Sequence, residues 1–160
     1  MDERWVVNAS PLILLGRVNH LWLLEKLVHH IAIPQSVPAE VGAGRKQDAS
    51  SDQTIAWAEQ FRIEDTQIPP SVDHWGLGAG ESQVIAILLR DGGKGVQDDR
   101  MGRRCAMAHG LPVIGTLGVL LLAKRLGVLS SARTLLESLR HKGLFVDDRL
   151  IDGILTDLGE

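Results

Sequence analysis

The sequence predicts an α/β fold in which a parallel sheet is covered by helices on both faces. Short apolar segments alternate with helical segments of about ten residues along the chain, which is typical of this class. The hydrophobic fraction of 44% is enough for a packed core and argues against disorder. A length of 160 residues suits one core, so we expect residues 1–160 to form a single domain.

The predicted strands are short apolar runs, several of which end at a proline or at a polar residue. The first is TrpValValAsn, and IleAlaIlePro ends where proline cannot donate the next ladder hydrogen bond. ArgIleGluAsp carries enough charge to suit an edge position. The five segments are 5–8, 31–34, 62–65, 95–98 and 112–115.

The predicted helices begin at prolines or capping residues and several end at glycines. Pro11 and Pro38 stand in first turns, where a missing N–H costs nothing, and Gly110 and Gly127 end two later helices. The helical segments are 10–15, 20–28, 37–41, 55–61, 81–91, 100–109, 117–126, 130–141 and 147–158. The polar stretch 44–53 and the Pro- and Gly-rich stretch 66–80 are expected to be loops.

Composition and sequence pattern exclude several classes of protein. Cys105 is the only cysteine, so a disulfide framework or a CxxC site within one chain is excluded, and we expect Cys105 to fill space in the core. The apolar run 119–123 is far shorter than the roughly 20 residues of a membrane span. The first residues lack a signal-peptide pattern. We therefore expect a cytoplasmic protein that makes no membrane contact.

Positive charge is concentrated in one part of the chain. Residues 90–142 contain ten Lys and Arg against four acids, a local net charge of +6 in a chain whose total is −3. Such a stripe suits a polyanion, and Arg100, Arg103 and Arg104 follow one another along one predicted helix. The alternative is that these cations belong to ordinary solvated helix faces.

Polar side chains stand where predicted strands end and helices begin. Asn8 ends the first strand, Glu81 opens an apolar helix, and Asp98 and Asp99 close the fourth strand. If the first and fourth strands are neighbours, these side chains meet at one edge of the sheet, where open parallel sheets bind ligands. Mg²⁺ and Mn²⁺ prefer such oxygen ligands.

These side chains also have structural interpretations. Either aspartate can cap the helix that follows, and Glu81 can interact with its own helix dipole. Asn8 can be a buried turn residue bonded to the backbone, and Ser10 and Thr116 are expected to cap helices. The glycine-rich stretch 76–80 has neither the Lys/Ser pair of a phosphate-binding loop nor a preceding strand, so no nucleotide cofactor is predicted.

Five short motifs occur in a recognisable order. They are ValValAsnAlaSerProLeuIle near the start, an acid after IleProGlnSerVal, GlyGluSer before an apolar helix, AspAspArgMetGlyArgArg, and GlyLeuProValIleGlyThrLeuGlyValLeuLeuLeuAlaLys. This order resembles that of the PIN-domain nucleases from about residue 5 to residue 158. It is most similar to a prokaryotic branch of uncharacterised PIN-like proteins that is related to the toxin nucleases of toxin–antitoxin pairs.

The resemblance implies a three-layer α/β/α domain with four to five parallel strands, which cleaves RNA with Mg²⁺ or Mn²⁺. The family's four metal-site acids correspond to Asn8, Glu40, Glu81 and Asp99, with Asp98 as the competing candidate for the last position. Asp99 and Glu81 would make most of the metal contact, Glu40 would orient the attacking water, and Asn8 would bind weakly. Asn8 departs from the family, which has aspartate at this position.

The function implied by the resemblance is that of a ribonuclease toxin, silenced by a small antitoxin protein that blocks the acidic cleft. In that function the arginines at 100, 103 and 104 would bind RNA. An alternative is an RNA-binding or regulatory module that has lost most of its activity because asparagine replaces aspartate at position 8. A homodimer is expected, since related nucleases often pair and Trp22 with the Leu-rich segments can supply an interface.

Overall fold

The computed structural model describes residues 3–43 and 48–160, and within them the chain forms five strands and ten helices. The strands are β1 Arg4–Val7, β2 His30–Pro34, β3 Arg62–Ile63, β4 Lys94–Val96 and β5 Val113–Ile114. The helices are α1 Ala9–Arg17, α2 Trp22–Leu27, α3 Ser36–Ala43, α4 Ser51–Glu59, α5 Pro70–Asp73, α6 Ala79–Asp91, α7 Arg100–Ala108, α8 Thr116–Arg125, α9 Ala132–His141 and α10 Asp148–Asp157.

The five strands form one parallel sheet in the order β3-β2-β1-β4-β5. The central strand β1 pairs with β2 on one side and with β4 on the other, so that Trp5 lies between Ile31 and Lys94. The chain builds one half of the sheet outward from β1 and then returns to build the other half from β4. Ligands of open parallel sheets bind at the carboxyl end of such a reversal. The predicted adjacency of the first and fourth strands is therefore confirmed.

Helices cover both faces of the sheet, because successive side chains of the buried central strand point to opposite faces. Trp5 and Val7 belong to the large core under α1, α3, α8 and α9, while Val6 packs against α6 on the opposite face. A smaller cluster joins α5, α6 and α7 through Val72, Ile85 and Cys105. The α/β/α architecture with a five-stranded parallel sheet is as predicted, and the Cys105 thiol is fully buried.

The structure differs from the predictions in the connections. The predicted strand 62–65 is only two residues long, and the predicted loop 66–80 contains helix α5, which begins at a proline and buries Val72. The predicted loop 44–53 ends where α4 begins at Ser51, and residues 44–47 lie outside the described residues. The longest described helix, α6, has 13 residues, and no helix in the described ranges is long and apolar enough to cross a membrane.

Candidate active site

Three polar side chains meet around Gly80 at the carboxyl end of β1. The Asn8 side chain is 1% exposed, and its Nδ2 donates a hydrogen bond of 3.0 Å to Glu81 Oε1. The backbone N–H of Gly80 donates a hydrogen bond of 2.8 Å to Glu40 Oε1. A Cβ atom built on Gly80 would lie 2.5 Å from Asn8 Oδ1 and 2.6 Å from Glu40 Oε1. The site therefore needs glycine at position 80, because any side chain there would displace both oxygens.

The fold delivers these residues from three separate parts of the chain. Asn8 is the N-cap residue between β1 and α1, and Glu40 lies in α3, which follows β2. Gly80 and Glu81 belong to the first turn of α6, whose N-terminus points to the same edge of the sheet. Backbone N–H groups and the helix dipole favour negative charge at such an N-terminus. The two carboxylates thus gather where the fold offers positive potential.

The electrostatics of the site favour a cation. Burial raises the pKa of Glu40, and the nearby Glu81 raises it further, against the opposing hydrogen bond from the Gly80 N–H. Asn8 Oδ1 is buried and accepts no hydrogen bond from the described residues. Two carboxylates and an unpaired amide oxygen form the all-oxygen donor set that Mg²⁺ and Mn²⁺ prefer. These residues fit a divalent cation.

Asp99 has the capping role that the sequence left open, and it lies next to this cluster. Its Oδ2 accepts a hydrogen bond of 2.7 Å from the Gly102 N–H, so Asp99 is the N-cap of α7. The same Gly102 packs against Glu81, since a Cβ atom built on it would lie 3.3 Å from Glu81 Cγ. Asp99 thus caps a helix whose first turn contacts the proposed metal-site acid Glu81.

Asp98, the competing candidate, is occupied by structural hydrogen bonds. Its Oδ1 accepts from the Thr116 N–H at 2.7 Å, and its Oδ2 accepts from Thr116 Oγ1 at 2.6 Å and from Ser10 Oγ at 3.1 Å. Asp98 therefore stabilises the N-terminus of α8, not the helix that follows it in sequence. The expectation that Ser10 and Thr116 cap helices is wrong, because the N-cap positions belong to Asn8 and Gly115.

The structure thus brings Asn8, Glu40 and Glu81 together around one glycine, and it places Asp99 at the N-cap of α7, whose first turn contacts Glu81. Within residues 3–43 and 48–160, no three His, Cys, Asp or Glu side chains stand close enough together to hold a metal ion by themselves. Asn8 contributes an amide and not a carboxylate, and both aspartates accept hydrogen bonds from backbone N–H groups at helix N-termini. The predicted metal-binding roles of Asn8, Glu81, Asp98 and Asp99 stay proposals, as does the predicted role of Glu40 in orienting the attacking water.

Sequence reasoning missed two residues that belong to this region. Gly80 was considered only as part of the glycine-rich stretch 76–80 and of the GlyGluSer motif, because its packing role depends on contacts from two distant parts of the chain. Gln97, at the end of β4, is fully buried, and neither its Oε1 nor its Nε2 has a hydrogen-bond partner in the described part of the chain. Its carboxamide lies against Gly102, with Oε1 3.2 Å from a Cβ atom built there. The sequence signal that could have identified Gln97 is its position as a polar residue directly after a buried strand, which is also the position of Asn8.

An open cavity of about 370 Å³ lies beside the cluster, and Glu40 and Glu81 line it together with one face of α1. The arginines predicted to bind RNA are nearby on α7. Arg100, Arg103 and Arg104 are exposed, and no ion pair involves them within the described residues. Their RNA-binding role remains a prediction, but no ion pair within the described residues neutralises their charges.

Comparisons with known proteins identify the family and the fold of the chain. The family model DUF3368, described as a PIN domain, matches residues 4–160. Among solved structures, the chain is similar to PAE2754 from Pyrobaculum aerophilum with a TM-score of 0.58 and 16% sequence identity. That match covers 77% of this chain and 91% of the other, and at this identity it shows a shared fold. A search of curated proteins finds no match.

Proposed function

The chain belongs to the PIN-domain family, and from that premise we propose that it is a Mg²⁺- or Mn²⁺-dependent endoribonuclease. PIN-domain proteins are commonly metal-dependent nucleases. The observation that carries the proposal is the contact of Asn8, Glu40 and Glu81 around Gly80, at the point of the sheet where ligands bind.

Each residue has a role that suits phosphodiester hydrolysis. Glu81 and Asp99 supply negative charge to hold the cation, and Asn8 supplies a neutral oxygen. Glu40, whose pKa is raised mainly by burial, is suited to accept a proton from the attacking water. A bound divalent cation supplies charge neutralisation at the phosphate and activation of that water.

The central test compares cleavage of single-stranded RNA with Mn²⁺ or Mg²⁺ by the wild type, Asp99→Asn and Asn8→Asp. Asparagine also caps helices well, so Asp99→Asn should remove one charge and keep the start of α7. We expect cleavage to fall by at least about a hundredfold in Asp99→Asn and to rise in Asn8→Asp. Glu137→Gln, an exposed change on α9, is the matched control and should cleave like the wild type. Equal background cleavage in all four proteins would remove the proposal.

A second candidate is an RNA-binding or regulatory module with little catalytic activity. The observation that favours it is the hydrogen bond that the Asn8 side chain donates to Glu81. An aspartate at position 8 would bind the cation with its own carboxylate, which Asn8 lacks. In that case the wild type binds RNA without cleaving it, and only Asn8→Asp gains metal-dependent cleavage. The same three proteins therefore decide between the two functions.

We also propose that the protein is the toxin of a toxin–antitoxin pair in the bacterial or archaeal cytoplasm. The support is the similarity of its motifs to that branch and the open acidic cavity, which a small antitoxin protein can block. Induced expression of the wild type in a bacterial host should arrest growth, whereas Asp99→Asn at equal expression should not. Unimpaired growth with the wild type, despite RNA cleavage in vitro, would contradict the toxin role.

A homodimer is the last element of the proposal. Trp22 on α2 is 39% exposed and Leu126, at the end of α8, is 61% exposed, and exposed apolar side chains are common in subunit contacts. Light scattering should give about twice the chain mass of 17.4 kDa. A mass equal to that of one chain across micromolar concentrations would exclude it.

A further inference from the structure

The cavity beside the proposed metal site contains one cationic side chain among the residues that line it, and that side chain is Arg17. Resting on the proposed ribonuclease function, we infer that Arg17 binds an RNA phosphate adjacent to the one that is cleaved. The proposed function requires the phosphates of RNA to approach Glu40 and Glu81, which repel them. A fixed cation in the same cavity offsets that repulsion.

The position of Arg17 follows from the periodicity of α1. Ser10, Ile13, Leu14 and Arg17 are spaced to lie on one face of this helix, and all four line the cavity. Side chains of a helix tilt toward its N-terminus, and the N-terminus of α1 is at Asn8. At a rise of 1.5 Å per residue, Arg17 lies about 10 Å further along α1 than Ser10.

The guanidinium of Arg17 is held in place from two sides. Its Nε donates to Asp48 Oδ2 at 2.5 Å, and its Nη1 donates to the Lys142 carbonyl oxygen at 2.8 Å. Nη1 also lies 3.5 Å from a Cβ atom built on Gly143, which lines the same cavity. Arg17 thus lines this cavity, and it also lines a second one together with Asp48, His141 and Lys142.

The Asp48 carboxylate that holds Arg17 is ionised at neutral pH. Hydrogen bonds from Ser50 and from Arg17 lower the pKa of Asp48 to about 2. The Arg17 side chain remains 33% exposed, whereas that of Asp48 is 13% exposed. An arginine held by a partly buried carboxylate and a carbonyl loses little freedom when it binds, and its planar group suits the oxygens of a phosphate.

The competing explanation is that Arg17 only ties α1 to Asp48 and to the chain at Lys142. Arg17→Ala alone does not separate the two explanations, because it leaves the Asp48 carboxylate without its partner and can destabilise the fold. Arg17→Ala combined with Asp48→Ala removes both charges. Asp48→Ala alone keeps the arginine and removes its anchor.

The test measures binding of a fluorescein-labelled single-stranded RNA of about 20 nucleotides by anisotropy, with EDTA present and Asp99→Asn as the parent. Both proteins that lack Arg17 should bind about tenfold to a hundredfold more weakly than the parent. Asp48→Ala keeps the cation without its anchor and should bind more tightly than both Arg17 variants. Arg125→Ala, at an exposed arginine at the end of α8, should bind within about threefold of the parent.

Affinity that is unchanged in both Arg17 variants overturns the inference. So does affinity that is lost in Arg17→Ala but recovered together with the thermal midpoint in the double variant, because that pattern is structural. If the parent itself binds no RNA, the proposed ribonuclease function fails and this inference fails with it. If the parent binds and Arg17 has no effect, only the inference fails.

Discussion

At the scale of single residues, the candidate site is locally unfavourable for folding. Asn8 Oδ1 is buried without a partner in the described chain, and burial makes the Glu40 carboxylate harder to ionise. An unsatisfied buried polar group typically costs about 1–3 kcal/mol. Such costs persist where function requires them, and removing them usually raises stability at the expense of activity.

Glu40→Gln should stabilise the protein at neutral pH. The folded-state pKa of Glu40 is raised, so ionisation costs more in the folded state and the wild type loses stability as pH rises through the range above the ordinary value of 4.5. Glutamine keeps an oxygen for the Gly80 N–H and carries no charge. We expect Tm to rise by roughly 1–3 °C at pH 7 and to match the wild type near pH 4. If the Tm curves of the wild type and Glu40→Gln run parallel between pH 4 and pH 7, ionisation of Glu40 is not the cause of the difference.

Gln97→Met should raise the free energy of unfolding by about 1–3 kcal/mol, measured by urea denaturation, because it removes two buried atoms that have no hydrogen-bond partner. Gln83 is the matched control, at which the same substitution should lower the free energy of unfolding. Its carboxamide accepts from the Thr66 N–H and donates to the Thr66 carbonyl, both at 2.8 Å. Gln83→Met should therefore lose about 1–3 kcal/mol. A loss in both variants would show that Gln97 has a partner in solution.

The sequence predicted the members of the site better than their contacts. Asn8 and Glu81 could be found because each stands where a strand ends or an apolar helix begins, and Glu40 came from the resemblance to the family. The hydrogen bonds could not be found, because they join residues 73 positions apart in one case and 40 in another. Arg17 was overlooked for the same reason, since only the folded chain places it in the same cavity as Glu40.

At the scale of elements, buried strands and amphipathic helices were predictable because their periods of 2 and about 3.6 residues are written in the local sequence. Helix α5 was not predictable, because its four residues are too few to show a period and only Val72 is buried. Helix caps that come from residues distant in sequence also could not be predicted. Thr116 begins α8, yet its N–H binds Asp98, which lies 18 residues earlier.

The start of α9 is capped from a distance by Glu160. Its carboxylate accepts hydrogen bonds from Ser131 Oγ and the Ala132 N–H at 2.8 Å each, and these bonds lower its pKa to about 2. A lowered folded-state pKa contributes stability that is present above about pH 4.5 and is lost as pH falls toward 2.

Glu160→Gln should therefore lower Tm at pH 7 and flatten the loss of Tm between pH 4.5 and pH 2, measured by circular dichroism. Glutamine retains one acceptor oxygen, so α9 should still form. Curves for wild type and Glu160→Gln that remain the same distance apart down to pH 2 would show that the Glu160 carboxylate is not linked to folding.

At the scale of the whole molecule, the structure separates the cations that the sequence grouped together. Residues 90–142 carry a net charge of +6, but several of these cations pair with acids elsewhere. Arg90 contacts Asp91, Arg140 contacts Asp148, and Lys124 contacts Glu160. The arginines of α7 make no ion pair within the described residues. Arg125 and Lys142 also make no ion pair within the described residues, but the three arginines of α7 stand together on one helix, next to the candidate active site.

Salt dependence of RNA binding distinguishes these two groups of arginines. An arginine that contacts phosphate releases a counterion from single-stranded RNA and contributes about 0.7 to the slope of log K against log salt, whereas one already paired with a carboxylate contributes little. Replacing Arg100, Arg103 and Arg104 together by alanine in the Asp99→Asn background should reduce the slope by about 2. Replacing the paired Arg90 and Arg140 is the matched control and should leave the slope nearly unchanged. Equal reductions per arginine removed would mean that RNA senses only net charge, and that α7 is not the surface along which it binds.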